Sequence, residues 1–284
     1  IVTAAAGGGS DFTARQIAQG ISGPLGQPVI VDNRTALQAS EAASKAPPDG
    51  YTLLVAGGIH WITPLLQKTP YDVSDSAPIS LLVREVSVVA VHPSLSAKSI
   101  KELIALAKAR PGELNYGSGA TGGLSHLAVE LFNAMGGIKI VRIAYKGIAP
   151  TMTSVISGEV QMTINDAGAV APHAKSGKLR ALAVTSAEPS PLAPGLPTVA
   201  ASGLAGYEAT GMTGIFAPTK TQGAIVNRLN QEIVRLSNRA EVKERFLNAG
   251  AEVVASSPEQ FATTLITDIS KWAKVIKEAG IRVD

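Results

Sequence analysis

Gly117-Ser118-Gly119-Ala120-Thr121-Gly122-Gly123 follows a short strand-like stretch at 114–116 and leads into a helical run over 125–135. A segment of the same kind, Gly7-Gly8-Gly9-Ser10-Asp11, lies between the apolar opening Ile1-Val2 and another helical pattern. A strand, a glycine turn and a helix in succession leave unpaired N–H groups at the helix N-terminus. Those donors and the helix dipole favour an anion. One such junction says little. Two of them, set far apart in the chain, suggest two lobes that each offer N–H donors to one acidic ligand.

Working outward from the first turn, Ser10 or Asp11 is expected to N-cap a helix whose apolar residues Ala14, Ile17, Ala18 and Ile21 share one face. Gly23-Pro24 should stop it. Val29-Ile30-Val31 reads as a buried strand, 39–45 as a helix and 51–56 as the next strand. This β-α-β-α-β order predicts a mainly parallel sheet with helices on both faces. Strand-like Val86–Val91 is followed by a second set of elements. Ser99-Ile100-Lys101-Glu102 is a capping-box pattern, the 117–123 loop follows, and Val160, Met162 and Ile164 alternate up to Asn165-Asp166. The C-terminal part is helical, with a further capping box at Ser257-Pro258-Glu259-Gln260. The expected organisation is a discontinuous first lobe (1–91 and 215–284) into which a second lobe (92–214) is inserted. Two extended crossings, near 88–94 and 207–217, would form a hinge.

Bulk properties narrow the function. With 284 residues, 45% hydrophobic and 17% charged, the chain can bury a sizeable core. Aromatics make up only 4%, so that core rests on aliphatic residues. The net charge of +3 comes from dispersed lysines and arginines with few interleaved aromatics, which argues against a nucleic-acid surface. With no cysteine, disulfides, thiolate catalysis and Cys-based metal sites are excluded. No apolar stretch is long enough for a transmembrane helix. The chain opens on Ile1-Val2-Thr3 as if inside a strand, as a mature or trimmed chain would.

Enzyme and cofactor motifs fail one by one. Gly117-x-Gly119-x-x-Gly122 matches the dinucleotide spacing, but the acidic residue expected after the next strand is absent from 138–142. An arginine, Arg142, stands there and leaves an NADP-type reading formally open. For a phosphate-binding loop, Gly123 and Leu124 occupy the Lys and Ser/Thr positions. The four histidines make no metal pattern. Ser118 and His126 could pair as nucleophile and base. A loop hydroxyl and a histidine that orients the loop account for them more simply. Catalysis, cofactor and metal are therefore not expected. The alternative to a binding protein is an α/β enzyme or regulator taking a nucleotide or phosphorylated ligand through 117–123.

Several stretches together resemble one family along essentially the whole chain: GGGSDFTARQIA, LGQPVIVDNR, APPDGYTLLVAG, YGSGATGGLSHLAVELFNAMGG, AYKGIAPTMTSVISGEVQMTI, GKLRALAVTS and LPTVAASGLAGYEATGMTGIFAP, with the closing KWAKVIKEAGI. They look like the periplasmic substrate-binding receptors of tripartite tricarboxylate transporters, the TctC or Bug family. The resemblance implies a two-lobed Venus-flytrap α/β fold and a monomer. It also implies capture of a small di-, tri- or aromatic carboxylate in the periplasm and delivery to membrane permease subunits.

In that family a ligand carboxylate is held by backbone N–H groups and waters of two loops. Carried over, these are Ala5, Gly7, Gly8, Ser10 and Asp11 in the first lobe and Ser118, Gly119, Thr121, Gly122 and Gly123 in the second, with His126 behind. Gly58, His60 and Trp61 on one side and Asn165, Asp166 and Met212 on the other would line the remainder. Trp61 makes an aromatic acid such as a phthalate plausible, and an aliphatic diacid is equally open. The chain departs from the family pattern at Ala4-Ala5-Ala6, in a shorter segment after Asn33-Arg34, near Asp72–Ala77, in the order of Asn165-Asp166 and at Met212.

Overall fold

The chain begins as a parallel β-α-β-α-β run, seen in a computed structural model that describes residues 1–282. β1 (Val2–Thr3) leads into α1 (Gly9–Leu25), which buries Ala14, Ile17, Ala18 and Ile21 and closes on Gly26 in the left-handed region, φ 67°. Burying the isoleucines contributes about 1.5–3 kcal/mol each. β2 (Asp32–Asn33), α2 (Ala36–Ser44), β3 (Leu54–Gly57), α3 (Ile59–Leu66) and β4 (Ser76–Glu85) follow. Thr35 and Gln38 form a complete capping box at the start of α2.

The strand expected at Val29-Ile30-Val31 is not one. Strand pairing begins only at Asp32, and Ile30 is 75% exposed. Pro28 cannot donate to a ladder, and the partner β1 is two residues long. Val29 and Val31 still pack against the core from an irregular segment.

The next elements are β5 (Ser87–Val91), α4 (Ile100–Ala109), β6 (Asn115–Ser118), α5 (Leu124–Gly136), β7 (Val141–Ala144), α6 (Ile148–Ile156), β8 (Met162–Asp166), α7 (Ala167–Lys175) and β9 (Arg180–Val184). At α4 only half of the expected box forms. Ser99 Oγ accepts from the Glu102 N–H, while the Glu102 carboxylate reaches the N–H of Lys98. The chain ends with β10 (Gly211–Pro218), α8 (Gly223–Ser237), α9 (Ala240–Asn248), β11 (Ala251–Val253) and α10 (Pro258–Glu278). Here the Ser257/Gln260 box is complete, with Pro258 at the first helical position.

Two compact units result. The first comprises Ile1–Arg84 and Met212–Ala273, the second Glu85–Gly211 and Lys274 onward. The boundary thus falls at Arg84/Glu85 rather than at 91, because β5 hydrogen-bonds along its length to β8 and β9 of the second sheet. Residues from Lys274 also group with the second unit, where the first was expected.

Each sheet is mixed rather than mainly parallel. In the first, ordered β11-β4-β10-β3-β1-β2, β1 runs parallel to β2 and β3 while β10 runs antiparallel to β3. In the second, ordered β7-β6-β8-β5-β9, β6 is parallel to β7 and β8, and β5 is antiparallel to both its neighbours. The antiparallel members β5 and β10 are those at the unit boundaries. The first core gathers Ile17, Val55, Ile79, Leu82, Ile215 and Ile233; the second gathers Val86, Val88, Met152, Val155, Val160 and Val184.

Candidate functional site

In the first unit the turn after β1 is built around Asp11. The N-cap of α1 is Gly8, which has no side chain to cap with, so Asp11 lies inside the first turn and neither it nor Ser10 is the cap. The Asp11 carboxylate instead reaches back. Its Oδ2 accepts the Gly7 N–H at 2.9 Å, and its Oδ1 accepts from Asn33 Nδ2 at 2.8 Å and from Arg15 Nε at 3.0 Å. Asn33 Nδ2 also donates to the Ala4 carbonyl at 2.8 Å, which ties the turn to the end of β2. These donors, the Gly7 N–H first and then Asn33, hold the Asp11 carboxyl below its ordinary range.

Gly7 needs its glycine, with φ at 84°. Gly8 does not, because its backbone is ordinary extended and a Cβ would come no closer than 3.7 Å to the Ala5 carbonyl. With the Gly7 N–H taken, the donors that remain are those of Gly9, Ser10 and Asp11. They precede the first intrahelical bond and have no acceptor among the described residues.

Beside this turn, at the C-terminal end of β3, lies the start of α3. Gly58, His60 and Trp61, expected to line the site, belong to this helix start, with Gly58 as its N-cap. A Cβ on Gly57 would sit 3.8 Å from Ser10 Oγ and 3.4 Å from the Met212 carbonyl, so these three residues adjoin. The helix turns His60 and Trp61 inward. Trp61 is 1% exposed and its indole N–H donates to Asp268 Oδ2 at 2.9 Å. The His60 ring stacks on Tyr71 at 5.1 Å and shares a hydrogen bond with Ser40 Oγ. Burial lowers the His60 pKa to about 4.

The side chains of His60 and Trp61 are therefore core, not pocket lining. What α3 leaves open is the N–H groups of Ile59 and His60 and the Ile59 side chain, 56% exposed. Met212 is also largely buried.

In the second unit the 117–123 loop is held from the neighbouring strand. β7 pairs with β6, Arg142 opposite Tyr116. From there the Arg142 guanidinium donates through Nε to Ser118 Oγ (2.8 Å), through Nη1 to Thr121 Oγ1 (3.0 Å) and through Nη2 to the Gly119 carbonyl (2.7 Å). Three loop N–H groups are also used internally. Gly119 donates to Ser125 Oγ at 3.2 Å, Gly122 to His126 Nδ1 at 3.1 Å and Gly123 to the Ala120 carbonyl at 3.0 Å. Gly122 sits at φ 76°.

Because Nδ1 accepts, the neutral His126 ring carries its proton on Nε2. Burial first and the Arg142 charge second push its pKa down to about 4. Ser118 accepts from arginine and is no nucleophile held by a base. The loop N–H groups without an acceptor among the described residues are those of Ala120, Thr121, Leu124 and Ser125. They neighbour the expected glycines rather than belonging to them.

The parallel register of β6 and β8, with Tyr116 opposite Met162, brings Asn165 level with Gly119. Asn165 is 3% exposed. Its Oδ1 accepts the Asp166 N–H, and its Nδ2 has no partner. Burial raises the Asp166 carboxyl, and burial together with the Asp166 charge pushes Glu85 up to about 7. Lys146 is exposed. No cluster able to hold a metal occurs among the described residues. The role of Arg142 as a loop brace matches no sequence motif; its one signal is an arginine in the strand next to a glycine loop.

A profile of the tripartite tricarboxylate transporter family receptor, TctC, matches residues 13–281. The chain belongs to this family. BugT of Bordetella pertussis is 34% identical over 284 residues, covering 98% of this chain and 87% of that protein. Among solved structures, Rpa4515 of R. palustris with adipate is 33% identical, covers 99% of this chain and 97% of its own, and superposes with a TM-score of 0.81. A TctC solute-binding protein from Polaromonas, 22% identical, shares the fold at a TM-score of 0.88, with 98% of both chains covered.

The TctC chain described here thus has the two-lobed periplasmic-binding-protein fold, with two mixed sheets flanked by helices. Its family is one of periplasmic substrate-binding receptors, not a class of enzyme. The nucleotide alternative is not favoured, because the family of carboxylate-transporter receptors matches nearly the whole chain and the neighbour Rpa4515 was solved with adipate. No helix among the described residues is long and apolar enough to cross a membrane.

Proposed function

We propose that this chain is a non-catalytic receptor that captures a small carboxylate with main-chain donors and delivers it to the permease subunits of a tripartite tricarboxylate-type transporter. The observation that carries this reading is the set of uncommitted N–H groups at the starts of α1, α3 and α5. Such donors and the helix dipoles behind them suit a planar anion and need no cofactor. The neighbour Rpa4515, solved with adipate, supports a diacid. With the Trp61 indole bonded inside the core and the aliphatic Ile59 exposed beside the donors, a linear aliphatic diacid fits better than a phthalate. The working form is a periplasmic monomer.

Thermal shift against adipate, malate, phthalate, ATP and NAD tests the reading. A ligand at about 100 times its Kd adds roughly 2.7 kcal/mol of apparent stability. Stabilisation by an aliphatic diacid and not by nucleotides is the expected outcome. A response to ATP or NAD with none to any carboxylate would overturn it.

A further inference from the structure

We propose that Arg142 is the positioning residue that gives the second loop its charge selectivity: it locks the 118–121 turn into one shape and fixes a cation behind the free N–H groups, so that a fully ionised carboxylate is preferred over its ester. This deepens the carboxylate-receptor reading and rests on it. Arg142 belongs to β7, more than twenty residues from the loop in sequence, and reaches three of its residues, Ser118, Gly119 and Thr121. A planar guanidinium satisfies three acceptors spread around its edge, which a lysine ammonium on a flexible stem cannot copy.

Three of its five N–H groups are used. The remaining two, one on each Nη, have no acceptor among the described residues. No ion pair neutralises the charge among the described residues. Of the titratable groups nearby, His126 is neutral and Glu130 is bonded by the Tyr116 hydroxyl. The first loop is built the opposite way, on the carboxylate of Asp11 paired with Arg15. The two loops therefore offer an anion similar main-chain donors but opposite braces. Only the second adds a positive charge with no ion-pair partner among the described residues, and a cation near an acid favours its ionised form.

The test compares wild type with Arg142→Gln, Arg142→Lys and Thr121→Val. Adipate and dimethyl adipate serve as probes in calorimetry at low and moderate salt, and hydrogen exchange is followed at the 119–125 amides. In Arg142→Gln the exchange should accelerate, adipate affinity should fall roughly tenfold or more, and its salt dependence should flatten. Arg142→Lys should restore the salt dependence without restoring the exchange protection. Thr121→Val, which keeps the charge and removes one acceptor, should speed exchange while preserving salt dependence, and it stands in if the glutamine variant fails to fold.

Unchanged exchange and affinity in Arg142→Gln would overturn the proposal. So would full recovery of both in Arg142→Lys, which would make the fork unnecessary. If wild type takes no adipate, malate or other carboxylate, the receptor reading fails, and the exchange data still decide whether Arg142 braces the loop.

Discussion

Replacing Trp61 by phenylalanine separates a structural indole from a ligand-reading one. The indole N–H is the donor to Asp268 Oδ2, and that carboxylate is itself buried, with Lys271 Nζ 2.9 Å from its other oxygen. Losing the donor strands a buried acceptor, at a cost of about 1–3 kcal/mol. Shrinking the ring among Phe216, His60 and their neighbours leaves a void worth about 1 kcal/mol more, by comparison with smaller core truncations. The sum, about 2–4 kcal/mol, lowers Tm by roughly 5–15 °C for a chain of this size. Calorimetric melting would read the loss, and titration with adipate well below the melting range would read binding. The expected pattern is a large drop in Tm with adipate affinity kept within about threefold, under about 0.7 kcal/mol. A variant that melts like wild type and no longer takes adipate would refute this reasoning and return the indole to the site.

Asp11→Asn keeps one acceptor and loses the charge that collects the Gly7, Asn33 and Arg15 donors; a loss of about 1–2 kcal/mol at neutral pH is expected in urea unfolding. Because the folded Asp11 pKa is depressed, its contribution is present above the unfolded carboxyl value and fades as pH falls through the folded one, so the wild-type advantage should vanish in acid. His60 and His126, both lowered from 6.5 to about 4, must stay neutral in the fold, so stability should decline as pH drops from about 6.5 towards 4, and His60→Gln should reduce that slope. Gly122→Val forces a β-branched residue to φ 76° and should abolish adipate binding with circular dichroism unchanged, whereas Lys146→Ala, at an exposed position, should change affinity little; the reverse pattern would assign the anion to the lysine.

Both strand-to-helix turns are legible in the sequence because a glycine cluster between a strand and an apolar repeat of helical period marks a tight turn. The Ser257/Gln260 cap and the buried face of α1 are legible for the same reason: local chemistry at fixed spacing. What escapes is non-local. Ile59-His60-Trp61-Ile62 has no polar face, so nothing in its pattern announces a helix, and His60 and Trp61 are turned inward by partners distant in sequence, the rings of Tyr71 and Phe216 and the hydrogen bonds of Ser40 and Asp268. Arg142 acts across a strand pairing that no spacing rule encodes. The glycine runs point to the glycines themselves as donors, but a turn must satisfy itself first, and Gly7, Gly119, Gly122 and Gly123 give their N–H groups to their own loops.

The uncommitted donors at the starts of α1, α3 and α5 belong to the peptide backbone, and a backbone group has no side chain to delete. An alanine scan across these turns would return a nearly flat profile, with its few peaks at the braces Asp11, His126 and Arg142 and none at the uncommitted N–H groups themselves. Substitution can therefore drift freely at Ala5, Ala120 or Leu124 while the capacity to take an acid persists. Two receptors of this build can share that capacity with little sequence in common, and can part company in preference through a single neighbouring residue such as Ile59.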